Sequence, residues 1–244
     1  MLKSNKIFIP IFAISTIAAT AIPLTICMSC NRKIGGDQKP LTDLCFSDVE
    51  GNGASEVWYM TNITDDSIEI QYSFDSINWN PWNVESDLAS KHITLDVNDD
   101  NPNNDRIYVR NTKNVLSNGD DRAFLFQMSG KIAASGNVNS MINYAELTDY
   151  CFMQLFSNCT SLTKAPELPA TTLANGCYRS MFYNCSSLDI RDNGTQSGNK
   201  YKIFTFPSDL TEPNYYCKDM FYNCKGQGDL VVTRGTSYYC YYTE

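Results

Sequence analysis

The chain has 244 residues, 19 basic and 27 acidic side chains, a formal net charge of −8 and one histidine. That balance argues against a surface that tracks nucleic-acid phosphates, and the length leaves room for about two modest domains. Charged residues make up only 19%; Asn, Thr, Ser and Tyr take their place, which suits an exported β-rich protein better than a cytosolic enzyme.

Residues 1–29 read as an export segment. Lys3 and Lys6 make a positive start, and residues 7–26 are uncharged and mostly apolar. Such a pattern before a cleavage site is a signal peptide. The site falls at a cysteine, so the expected product is a lipoprotein acylated on Cys30. Ser29 before Cys30 is small, whereas Cys27 follows the bulky Ile26. The competing reading is an uncleaved anchor, since about twenty apolar residues can span a bilayer. Both readings put the rest of the chain outside the cell, on the outer face of a bacterial membrane. Cleavage removes two lysines and no acids, so 17 minus 27 leaves a charge of −10. Residues 30–42 carry Gly35, Gly36, Pro40 and mixed charges and read as a tether.

Residues 43–130 read as a small all-β domain. Short runs rich in Ile, Val, Tyr and Phe cover 57–60, 67–74, 92–97, 106–110 and 123–128, separated by clusters of turn formers. Ile68, Ile70, Tyr72 and Phe74 alternate with Glu69, Gln71 and Ser73, as in a half-buried strand. The spacing predicts an immunoglobulin-like sandwich. Trp58, Tyr59, Trp79 and Trp82 are either a sugar-stacking platform or core and edge packing. Asp96, Asn98 and Asp100 open like a calcium loop. Asn101 stands where an EF-hand needs Gly, and Ile107 where it needs Glu, so a solvated loop and no metal site is expected. His92 opens a strand with no nucleophile or orienting acid in a known motif beside it. The chain is read as a non-enzyme without cofactors.

Residues 131–244 are organised by a repeat. CFMQLFSNCTSL restarts as CYRSMFYNCSSL: Cys151, Leu155, Phe156, Asn158, Cys159 and Leu162 recur as Cys177, Met181, Phe182, Asn184, Cys185 and Leu188, each 26 residues on. A third copy holds Met220, Phe221, Asn223 and Cys224, set 39 residues beyond the second by a polar insertion. Leu147, Cys151, Leu155 and Cys159, then Leu173, Cys177, Met181 and Cys185, fall four residues apart. That spacing predicts a short helix with one buried face. Pro166 and Pro169 end a short strand after the first helix. Each unit is therefore expected to be strand, turn, helix and turn, stacked on its neighbours as a leucine-rich-repeat solenoid. The expected fold class is α+β, a small sandwich followed by this solenoid, with Tyr238 to Tyr242 capping its end.

Of ten cysteines, eight remain after removal of Cys27 and acylation of Cys30. Were a helix to separate Cys151 from Cys159, their Cα atoms would lie about 12 Å apart, beyond the reach of about 7 Å that a disulfide allows. Buried thiols are expected, with Cys217 and Cys240 the pair most open to bridging. Among those eight, no C-x-x-C spacing supports zinc.

The text from Cys151 to Leu188, with the lead-in MSGKIAASGNVNSMINY (Met128 to Tyr144) and IQYSFDSINWNPW, resembles the BspA-like leucine-rich-repeat surface proteins of bacteria. The resemblance runs from about Gln71 to Cys224 and implies a surface-anchored protein engaged in adhesion or host-protein binding, without catalytic residues. The repeats here are few, the second is followed by an insertion, and the third has Tyr216-Cys217 in place of Cys-Tyr. The expected function is binding of a protein ligand on a host or neighbouring cell through the exposed positions Thr163, Lys164 and Glu167. The alternatives are a glycan-binding sandwich on a repeat spacer and a structural or antigenic coat protein.

Overall fold

The computed structural model describes residues 42–49, 53–86, 88–97, 99, 101, 103–119, 121–170, 173–189 and 216–225, and the strand residues 195–196, 199–204 and 238–241. Its strands are β1 (Leu44–Asp48), β2 (Ser55–Thr61), β3 (Ile70–Ser73), β4 (Asn80–Pro81), β5 (Val84–Ser86), β6 (Ala89–Ser90), β7 (Ile93–Leu95), β8 (Arg106–Asn111), β9 (Phe124–Ser129), β10 (Ile132–Ser135), β11 (Leu162–Lys164), β12 (Thr195–Gln196), β13 (Asn199–Phe204) and β14 (Tyr238–Tyr241). One sheet has the order β11-β10-β1-β8-β3-β4. A second has β5-β6-β2-β7, with β9 also paired to β2, and β12-β13-β14 form a small third.

Alternation explains how the first two sheets share a core. In β2 the side chains of Ser55, Val57, Tyr59 and Thr61 are buried and Glu56, Trp58 and Met60 are not. Ile107, Val109 and Asn111 of β8 and Phe124, Phe126 and Met128 of β9 follow the same rule. Sheets with one buried face need this period of two. Across the layers, Phe46 meets Phe126 edge-on at 4.9 Å. Tyr59 sits edge-on to Trp82 at 5.2 Å and donates its hydroxyl to the Trp82 carbonyl. The buried Asn111 spends its amide hydrogens on the carbonyls of Val115 (3.0 Å) and Met141 (3.2 Å), and its oxygen accepts from the backbone of Glu69 (2.9 Å). It thereby ties the sandwich to the 3-10 turn Val138–Ile142.

The repeat half overturns the expected α+β class. Among the described residues there is no α-helix and no leucine-rich-repeat solenoid, and the 3-10 turn is the only helical piece. The residues of the predicted helices lie on consecutive tight turns. Backbone φ is positive at Tyr150 (58°), Gln154 (60°) and Asn158 (64°), at Gly176 (60°), Ser180 (52°) and Asn184 (61°), and at Asp219 (55°) and Asn223 (60°). A left-handed residue at every fourth position is incompatible with a right-handed helix.

The backbone amides are satisfied in two alternating ways. Met153, Ser157 and Cys159 donate three residues back, to Tyr150 (3.0 Å), Gln154 (2.8 Å) and Phe156 (3.0 Å). Phe152, Gln154, Phe156 and Asn158 donate to the next unit, at Cys177 (3.0 Å), Arg179 (3.0 Å), Met181 (2.9 Å) and Tyr183 (2.7 Å). The second unit repeats this toward the third: Tyr178 to Tyr216 (3.0 Å), Ser180 to Lys218 (2.8 Å), Phe182 to Met220 (2.9 Å) and Asn184 to Tyr222 (2.8 Å). The 39-residue step thus restores the same register after the insertion. The outcome is a ladder of turns whose rungs are joined backbone to backbone.

The ladder and the sandwich are continuous. The amide of Phe126 donates to Leu155 (2.8 Å) and that of Ile132 to Ser161 (2.9 Å), so β9 and β10 act as the rung before the first repeat. Phe126, Phe156, Phe182 and Phe221 form one aromatic column with centroids 5.5, 5.3 and 5.6 Å apart. Hydrogen bonds and hydrophobic core therefore run straight across residue 130. A self-contained immunoglobulin-like sandwich is also overturned. Strands β10 and β11, which follow that residue, complete the first sheet, and β11 joins it in parallel.

Candidate functional site

The residues expected to make contact lie together at β11 and the turn after it. Ile132 and Ala133 of β10 pair with Leu162 and Lys164 in parallel, and Asn137 bridges to Glu167. The Glu167 amide donates to Gly136 (2.7 Å), and its carbonyl accepts from Val138 (3.1 Å). Lys164 and Glu167 are exposed. Thr163 is half-buried and its hydroxyl donates back to the Ile132 carbonyl at 2.9 Å, so its polar group serves the sheet. Cys30 lies outside the described residues, as do residues 1–29.

The four aromatic residues considered as a sugar platform do not form one. Trp82 is 2% exposed and its indole donates to the Lys91 carbonyl at 2.7 Å, while Tyr59 is 3% exposed in the same core. Trp58 is on the outer side of β2, stacked on His92 at 4.1 Å, with His92 Nδ1 3.3 Å from Glu56. Trp79 stacks on Arg110 of β8, the guanidinium 3.9 Å from the ring centre, and the Gln71 oxygen holds that guanidinium at 3.0 and 2.8 Å. Two of the rings are core, Trp58 is on β2 of the second sheet, and Trp79 precedes β4 and lies against Arg110 of the first. In the acidic loop, Asn98 and Asp100 lie outside the described residues. Asp99 accepts from the Asn101 amide (2.9 Å) and the Asn104 side chain (2.9 Å). Among the described residues no cluster of three or more His, Cys, Asp or Glu side chains is arranged to hold a metal, and no helix is long and apolar enough to cross a membrane.

The cysteines line the inside of the ladder. Cys151, Cys159, Cys177, Cys185 and Cys224 are buried and carry no disulfide. The thiols of Cys159, Cys185 and Cys224 each donate to a carbonyl of the preceding rung, at Phe126 (3.1 Å), Phe156 (3.0 Å) and Phe182 (3.1 Å). Burial pushes Cys151 and Cys224 up to about 12 and the other three higher still. They are neutral at physiological pH, and a thiol that is not ionised is a poor nucleophile or metal ligand. Cys217 is buried, and the side chain of Cys240 lies outside the described residues.

The outward side of the ladder carries a feature that the repeat text contained but did not reveal. Asn158, Asn184 and Asn223 stack as an amide ladder. Asn184 donates to the Asn158 oxygen at 3.0 Å, and Asn223 to the Asn184 oxygen at 3.1 Å. Beside them Tyr183 and Tyr222 stack at 4.8 Å with rings 11° apart, and Tyr222 is 49% exposed. Asparagine tolerates the left-handed conformation because its short amide bonds locally. The recurrence of Asn one residue before a cysteine in all three units was the available signal.

No family model matches the chain, and neither does any curated protein or solved structure.

Proposed function

We propose that the chain is a bacterial surface lipoprotein, held at the membrane by acyl chains on Cys30, that binds proteins of host or neighbouring cells in the manner of an adhesin. The observation that carries this reading is the ladder of turns. Backbone hydrogen bonds at every rung make it rigid, and it sets outward side chains of successive units in register. A preorganised surface loses little conformational entropy on binding. The wording of the repeats, similar to that of a family of surface-anchored adhesion proteins, supports the same reading. Acyl anchoring would concentrate copies in one plane, so modest single contacts would add up through avidity.

The test is capture of partners from host-cell surface extract by the chain from residue 31 onward, immobilised without its lipid. A saturable protein partner supports the reading. A well-folded chain that captures nothing saturably refutes it and leaves a structural or antigenic coat role. A glycan-binding role loses Tyr59 and Trp82, which are sealed in the core, and keeps only Trp58 and Trp79. Loss of captured glycoproteins after deglycosylation would favour it.

A further inference from the structure

We draw no further inference here: the strongest candidate, the side-chain cluster of Trp79, Arg110 and Gln71 on the outer face of the first sheet, carries nothing, because Trp79 and Gln71 hold the guanidinium as a brace across β3 and β8, its charge already acts on the carboxylates of Asp43 and Glu69, and nothing in the structure shows a ligand for it.

Discussion

Gln154→Gly separates a helix from a ladder of turns by the sign of its effect. Gln154 is exposed, in the middle of the first unit, with φ 60°. A non-glycine residue costs about 1–2 kcal/mol in that conformation. Glycine relieves that cost but brings about 0.5–1 kcal/mol of extra unfolded-state freedom. The net is a gain of about 0.5–1 kcal/mol. The backbone bond from Gln154 to the Arg179 carbonyl, 3.0 Å, does not involve the side chain and survives the substitution. In a helix, the same change would cost about 0.5 kcal/mol or more. Urea unfolding of the chain from residue 31 onward measures the difference. With a slope of about 2 kcal/mol per M, the midpoint should rise by about 0.3–0.5 M. Gln154→Ala keeps the left-handed residue strained and should leave the midpoint within about 0.2 M of wild type. A midpoint that falls for Gly and rises for Ala would refute the ladder.

Other consequences follow from particular contacts. A Cβ at Gly136 (φ 71°) would stand 2.1 Å from the Asp43 carbonyl oxygen, so Gly136→Ala should destabilise by about 2 kcal/mol or more, read as a lower urea midpoint. Asp75 accepts from the backbone amides of Asn78 (2.7 Å) and Ile77 (2.8 Å), which hold its carboxyl well below the usual carboxylate range. Its folded pKa is therefore below its unfolded one. Its contribution is complete above the unfolded pKa of about 4 and is lost as pH falls through the folded pKa. Melting temperature measured from pH 7 down to 2 should drop less steeply in Asp75→Asn than in wild type. Cys151 and Cys224, raised to about 12 by burial, should resist iodoacetamide at pH 8 for hours and react within minutes in urea, as followed by mass spectrometry. Equal labelling in both conditions would contradict their burial.

Much of the sandwich was legible, because its strands declare themselves by a period of two that depends only on which face is dry. The runs at 57–60, 106–110 and 123–128 correspond to β2, β8 and β9. Their partners were not legible. That β10 and β11, beyond residue 130, complete the first sheet depends on pairings between segments far apart in the chain. At the candidate site, the exposure of Lys164 and Glu167 was readable and the fate of the Thr163 hydroxyl was not. Nor could composition tell Trp82, sealed in the core, from Trp79, stacked on Arg110 three residues earlier.

The sequence by itself determined the 26-residue repeat, the inward stripe of cysteine, leucine, methionine and phenylalanine, and the recurrence of asparagine before cysteine. Only the tertiary structure decided what that stripe coils into. Apolar residues four apart line one face of a helix, and they equally fill the inside of a chain that turns every four residues. The choice rests on where the backbone amides find acceptors. A helix supplies them from within one segment. Here half of them come from the next copy, at Cys177, Arg179, Met181 and Tyr183 for the first unit. An acceptor contributed by a neighbouring rung belongs to no local window of sequence, and it appears only once the copies stand in register.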